Sequence, residues 1–168
     1  LRTGAPVTRA QVVVVGAGGA ARAIATELAL AHAARITIVN RSPEKAQSLV
    51  SLLNDKTSAS AQFAKWEGEY QVPEEADVLI NATPIGLFPN VNDRVPVRIE
   101  SLRPKLIVCD VIPNPPETEL LREARRQGCT VLDGLQMLVN QGVIGIRLWC
   151  EREPNPAIMR QSLQNAFQ

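Results

Sequence analysis

The sequence is poor in the groups that most often mark chemistry. It has one histidine, three cysteines and a formal net charge of only +1 over 168 residues. A single imidazole, His32, excludes a multi-histidine metal site. Cys109, Cys129 and Cys150 lie too far apart for a metal-ligand spacing, and their odd number makes no disulfide framework. No metal is therefore expected. Reduced thiols in a cytoplasmic protein are the plain expectation, with Cys109 at a buried strand position in Leu106-Ile107-Val108-Cys109. His32 falls in an alanine-rich helix end and reads as a surface helix residue. The small net charge leaves no global field to draw nucleic acid or a membrane surface, and Arg125-Arg126 reads as a solvated helix face. No stretch approaches the roughly 18–20 apolar residues that span a bilayer. The start lacks the basic-then-apolar order of a secretory signal. It begins at Leu1 without Met, so a fragment, a processed chain and an expressed piece all stay open.

What is present is an alternation of strands and helices in a length that suits one domain, residues 1–168. Gln11-Val12-Val13-Val14-Val15 is a short β-branched run ended by glycine, as in a strand buried on both faces. A helix follows from Gly19 to about Ala33, then a strand over Arg35–Val39. Ser42 is a candidate N-cap before Pro43, with a helix to about Leu53. A weak strand near Ala61–Ala64 leads through Trp66 and Tyr70 to a strand over Asp77–Ala82. Pro84 to Pro104 is irregular. A strand over Lys105–Asp110, a helix over Glu117–Gln127 stopped by Gly128, a short strand over Thr130–Leu132 and helices over Gly134–Trp149 and Pro156–Phe167 complete the chain. This order predicts an α/β fold: a doubly wound, mostly parallel six-stranded Rossmann-type sheet with helices on both faces.

The chemistry-bearing motif is Gly16-Ala17-Gly18-Gly19-Ala20-Ala21. It follows a predicted strand and opens a predicted helix, the context in which Gly-x-Gly-x-x-Ala binds a dinucleotide. Gly16 permits the tight turn, Gly18 lets the backbone approach a pyrophosphate, and Ala21 lets the helix pack close to the strand. The free N–H groups of the helix start then meet the anion. The end of the second strand selects the cofactor. An NAD site usually places Asp or Glu there, on the ribose 2′-hydroxyl. This chain has Asn40-Arg41-Ser42, with Lys45 one turn into the next helix. A planar guanidinium suits a 2′-phosphate, so NADP(H) is favoured over NAD(H).

Four segments resemble the C-terminal, cofactor-binding domain of the shikimate/quinate dehydrogenase family. They are Val15–Arg22, Val39–Ser42, Asn81-Ala82-Thr83-Pro84-Ile85-Gly86-Leu87 and Asp133-Gly134-Leu135-Gln136-Met137-Leu138-Val139-Asn140-Gln141. Trp149 and Glu153-Pro154 before the last helix also fit the family's ending. The resemblance implies that Gly16, Ala17, Gly18, Gly19 and Ala20 hold the pyrophosphate and that Asn40, Arg41, Ser42 and Lys45 hold the 2′-phosphate. It implies that Thr83 approaches the cofactor, that Val111 and Gly134 line the nicotinamide, and that Gln141 faces substrate hydroxyls. The implied reaction is reversible hydride transfer between NADPH and the 3-keto group of 3-dehydroshikimate, with quinate as the other small-molecule substrate.

Two departures stand out. The family often carries Tyr three residues after the strand-end Asp, whereas here Asp110-Val111-Ile112-Pro113 places a proline there. Asp110 itself reads as a carboxylate capping nearby backbone N–H groups rather than as catalytic. The family's N-terminal domain, which carries the catalytic Lys and Asp, has no counterpart in these residues. No catalytic residue is assigned in this chain, which is expected to bind NADP(H) with little or no turnover alone, its partner being that missing domain. Two other readings are another NADP oxidoreductase, such as a glutamyl-tRNA reductase, against which Asp133–Gln141 argues, and a non-catalytic NADP(H) sensor or scaffold.

Overall fold

The computed structural model describes residues 7–167; Leu1, on which the question of a processed start turns, lies outside them. Six strands form one all-parallel sheet in the order β3-β2-β1-β4-β5-β6. They are β1 (Gln11–Val15), β2 (Arg35–Asn40), β3 (Ser60–Lys65), β4 (Val78–Asn81), β5 (Ile107–Asp110) and β6 (Thr130–Leu132). The helices are α1 (Gly19–Leu30), α2 (Pro43–Lys56), α3 (Glu119–Arg126), α4 (Gly134–Cys150) and α5 (Pro156–Ala166). The sheet order reverses direction between β1 and β4, where doubly wound folds open their ligand crevice at the strand carboxyl ends.

The valines of β1 are buried whichever face they point to, which is why the run shows no alternation. Val12 and Val14 belong to the core under α1 and α2, with Ala21, Ala25, Leu49 and Leu53. Val13 and Val15 belong to the opposite core, with Leu120, Leu121 and Ala124 of α3. One strand thus anchors both layers. Small residues on α1 let the helix lie close on the sheet, since Ala21 and Ala25 are fully buried.

Element boundaries differ from the sequence expectations where hydrogen bonding overrides composition. α1 stops at Leu30, so His32 is not a helix residue. It adopts φ of 62°, letting Ala33 N–H close on Leu28 O at 3.0 Å while His32 O accepts Arg9 N–H at 2.8 Å. β3 is longer than expected, pairing with β2 from Arg35↔Ser60 through Asn40↔Lys65. Asn54 of α2 supports its start, accepting from Ala61 N–H and donating to Ala61 O. α3 starts at Glu119 because Thr118 caps it, accepting from Leu121 N–H. Ser42 occupies the N-cap position of α2 without a side-chain cap hydrogen bond. Cys109 and Cys129 are buried and Cys150 is exposed. Arg125 and Arg126 pair at the surface with Glu117 and Glu123. Among the described residues no helix is long and apolar enough to cross a membrane.

Leu49 of α2 is fully buried against the sheet. Leu49→Ala should lower unfolding stability by about 2–5 kcal/mol in denaturant titrations, through lost transfer energy plus a residual cavity. Ser48→Ala on the exposed side of the same helix should change it little.

Candidate functional site: a dinucleotide groove at the strand carboxyl ends

The glycine loop turns out of β1 with Gly16 at φ +108°. Its N–H donates to Val39 O at 2.7 Å, which ties the loop to β2. A Cβ at Gly16 would lie 2.9 Å from Ala82 O and 3.1 Å from Thr83 Cγ2. The glycine is therefore required twice, by its backbone angle and by the close pass of the chain after β4. Gly18 and Gly19 differ. A Cβ on either would meet nothing within 4 Å, and both are exposed with Ala20 at the start of α1. Gly18 caps α1 without a side chain, and no acid sits in the first turn. Open space, unpartnered helix-start donors and the absence of a local carboxylate fit a pyrophosphate.

At the end of β2, Asn40 Nδ2 donates to Ser42 O at 2.9 Å, shaping the turn into α2. Arg41 is exposed, with its guanidinium carbon 5.8 Å from the centroid of the Trp66 ring. Lys45 is exposed in the first turn of α2, as is Glu44. These cations, with no acid on the strand end itself, fit a phosphorylated ribose.

The third part of the site hangs from a buried polar pair. Asn81 and Asp110 end the adjacent strands β4 and β5, and both are almost fully buried. Asn81 Nδ2 donates to Asp110 Oδ1 at 3.0 Å. Asn81 Oδ1 accepts from Thr83 N–H at 3.0 Å and from Thr83 Oγ1 at 2.7 Å. Asp110 Oδ1 also accepts from Ile112 N–H at 3.1 Å, and Oδ2 accepts from Thr118 Oγ1 at 2.7 Å. Asp110 thus does what the sequence suggests, capping the turn beyond its strand. Sequence reasoning missed its link to Asn81, because the parallel register that makes them neighbours is not local.

Gly134 opens α4 against the same turn. A Cβ there would fall 2.4 Å from Val111 C and 2.5 Å from Ile112 O, so only glycine lets the helix start reach the Val111 backbone. Val111 and Gly134 are thereby brought together. Asp133 caps α4 through Gln136 N–H and pairs with Arg160 of α5 at 2.5 Å. Burial alone would raise the Asp133 carboxyl, yet Arg160 and the helix-start N–H groups hold it below its ordinary value. The Asp133–Arg160 pair is also absent from the sequence expectations, since 27 residues separate its members. Gln141 is exposed two turns along α4. A cavity of about 430 Å³ between Phe88, Asn114, Arg122 and Phe167 contains none of these residues.

Fold and site together define a Rossmann-type dinucleotide-binding domain. The chain belongs to the shikimate/quinate dehydrogenase family. The family model described as shikimate / quinate 5-dehydrogenase matches residues 2–117, and that of the shikimate 5′-dehydrogenase C-terminal domain matches residues 134–164. A shikimate dehydrogenase (NADP(+)) from Methanothermobacter thermautotrophicus is 40% identical over 161 residues, covering 96% of this chain and 57% of that protein. A ligand-free 5-ketofructose reductase of Gluconobacter sp. strain CHM43 superposes with a TM-score of 0.92 at 52% identity, covering 98% of this chain and 59% of that one. A shikimate dehydrogenase solved in complex with NADP+ gives a TM-score of 0.86 at 35% identity, covering 96% and 56%. The chain therefore spans somewhat over half the length of these relatives.

Burial is the largest influence on Asp110 and pushes its carboxyl up from 3.8 to about 6, against the donors that favour its charge. Between those values the folded protein holds a proton that the unfolded chain releases. Its contribution to stability is full below the unfolded value and is lost as pH rises through about 6, a change of up to about 3 kcal/mol. The stability difference between wild type and Asp110→Asn, measured by urea unfolding from about pH 4 to about pH 7, should fall across that window. A flat difference would refute burial as the dominant influence.

Proposed function

We propose that this chain is the NADP(H)-binding half of a two-domain oxidoreductase that moves a hydride reversibly between NADPH and a ketone on a polyhydroxylated small molecule. The observation that carries the reading is the open, acid-free start of α1 beside a β2 end bearing Arg41 and no carboxylate. Gly16, Ala17, Gly18, Gly19 and Ala20 bind the pyrophosphate through backbone N–H groups. Asn40 shapes the turn, while Arg41, Ser42 and Lys45 hold the 2′-phosphate. Thr83, fixed by Asn81, and the Val111–Gly134 contact form the walls of the nicotinamide end. Gln141 orients substrate hydroxyls. The cofactor, when bound, supplies the hydride.

The proton-transfer groups belong to the other half of the enzyme. Ile144 and Leu148 are exposed on α4, three and seven residues beyond Gln141 and hence on its face. That face suits a covering domain, and the greater length of the relatives supports one. Hydride transfer needs substrate held against the nicotinamide, and positioning supplies much of the rate.

Two substrate readings follow. The NADP-dependent shikimate dehydrogenases among the relatives favour the 3-keto group of 3-dehydroshikimate. The 52% identity to a 5-ketofructose reductase favours a ketose such as 5-ketofructose instead. Pro113 supports this second reading, because a proline lacks the phenolic hydroxyl with which the family often grips its substrate.

Arg41→Ala should weaken NADPH binding by about 10- to 100-fold, the worth of a charged hydrogen bond to phosphate, and weaken NADH binding far less. Equal losses for both, in fluorescence titrations, would remove the NADP(H) assignment. Turnover of NADPH with each ketone, followed by nicotinamide absorbance, separates the substrates. The intact protein should consume one of them, whereas residues 1–168 alone should bind NADPH with little or no turnover. Rapid turnover by the isolated chain would overturn the two-domain reading.

A further inference from the structure

We propose that Trp66 is a positioning residue for Arg41, and that the pair, rather than Arg41 alone, sets the preference for a cofactor carrying a 2′-phosphate. The inference rests on the NADP(H) reading above.

Trp66 is the first residue beyond β3, and Arg41 the first beyond β2. The parallel register Asn40↔Lys65 therefore brings them side by side. The Trp66 main-chain N–H donates to Asn40 O at 3.1 Å, which extends that pairing by one residue. Its indole N–H donates to Pro96 O at 3.0 Å, so the ring is held at both its backbone and its far edge. Only 7% of Trp66 is exposed, in a core with Val39, Val95 and Val97. This fixed ring faces the Arg41 guanidinium, its carbon 5.8 Å from the centroid. The distance is within the range of a cation–π contact.

The contact changes what Arg41 can do. Among the described residues no carboxylate takes Arg41 as an ion-pair partner; the neighbouring Glu67 pairs with Lys65. A free arginine loses rotamer entropy when it clamps a ligand. Held over an immobile indole, it has lost part of that entropy before the ligand arrives. The contact uses the charge of the guanidinium against the ring and leaves its N–H donors for a phosphate. Lys45 and Glu44 are exposed in the first turn of α2, just beyond this strand end. Neither is held on a ring, and their charges are opposite, so only Arg41 combines a positive charge with a fixed orientation.

A purely structural Trp66 would, when replaced, weaken both nicotinamide cofactors alike. A positioning Trp66 acts selectively, because NADH lacks the group that Arg41 clamps. The test is the Kd for NADPH and for NADH, by nicotinamide fluorescence on the intact protein. The variants are Trp66→Leu, Trp66→Phe, Arg41→Ala and the Trp66→Leu/Arg41→Ala double variant. Trp66→Leu should cost NADPH about three- to tenfold more than it costs NADH, in line with a partly exposed cation–π contact. Trp66→Phe should recover most of that selectivity. In the Arg41→Ala background Trp66→Leu should have no selective effect. Equal losses for the two cofactors, with wild type preferring NADPH, would overturn the inference and leave the NADP(H) reading intact. A wild type that binds both equally would overturn both. Should the leucine variant not fold, a Trp149→Phe background of residues 1–168 leaves Trp66 as the only tryptophan of those residues. Its emission should change on Arg41→Ala and on adding NADPH more than NADH; an unresponsive emission would sink the proposal.

Discussion

The hydrogen bond between Asn81 and Asp110 holds the rest of the site in place. It joins the carboxyl ends of β4 and β5 where both side chains are sealed from water. Three segments hang from it: the Thr83 turn through Asn81 Oδ1, the Ile112 turn through Asp110 Oδ1, and the start of α3 through Thr118. Each segment is pressed against another part of the site. Ala82 and Thr83 pack on Gly16, and Val111 and Ile112 pack on Gly134. Among the described residues no buried side-chain polar atom is left without a partner. Such a network in a medium of low polarity is stiff while complete and costly once cut, because removing one member strands several others. The glycine loop and the start of α4 thus pack against turns that these two side chains fix.

The glycines divide by what surrounds them. Gly16 and Gly134 are glycines because protein backbone occupies the space a side chain would need. Gly18 and Gly19 face empty space. A side chain there would strain nothing in the protein, so their smallness serves whatever approaches from outside. The two kinds carry different parts of the work: the first pair closes the frame, and the second keeps open the approach to the start of α1. That asymmetry argues more directly for a bound anion than the spacing of the glycines does.

Much of this was legible in the sequence because much of it is local. Four valines in a row, a glycine loop and a following alanine-rich helix need no tertiary information to be read, and β1, the loop and α1 follow directly. The acid-free strand end at Arg41 is equally local. The residues Thr83, Val111, Gly134 and Gln141 were reached only through likeness to a family; nothing about a lone glycine after Asp133 reveals that it sits against the Val111 backbone. The losses came where a contact crosses strands or helices. Trp66 read as part of a connection because its ring meets Arg41 only through the β2–β3 register. Asp133 read as part of a motif, whereas Arg160 fixes it from α5. His32 read as helical from its alanine neighbours, but closing the helix end onto Leu28 requires a left-handed residue there.

The sheet order separates two kinds of specificity. Arg41 and Trp66 stand on the β2–β3 side of the glycine loop, whereas Pro113, Gly134 and Gln141 belong to segments following β5 and β6 on the other side. A change on one side need not disturb the other, because β1 and β4 lie between them with their registers fixed by continuous parallel pairing. On the proposed assignment, substrate choice is therefore free to shift while cofactor choice stays. That separation accounts for a single domain frame shared by relatives named for shikimate and for 5-ketofructose. It also locates the divergence of this chain. Pro113 lies on the β5–β6 side, beyond the strand end that Asp110 anchors, and leaves the Arg41 end of β2 untouched.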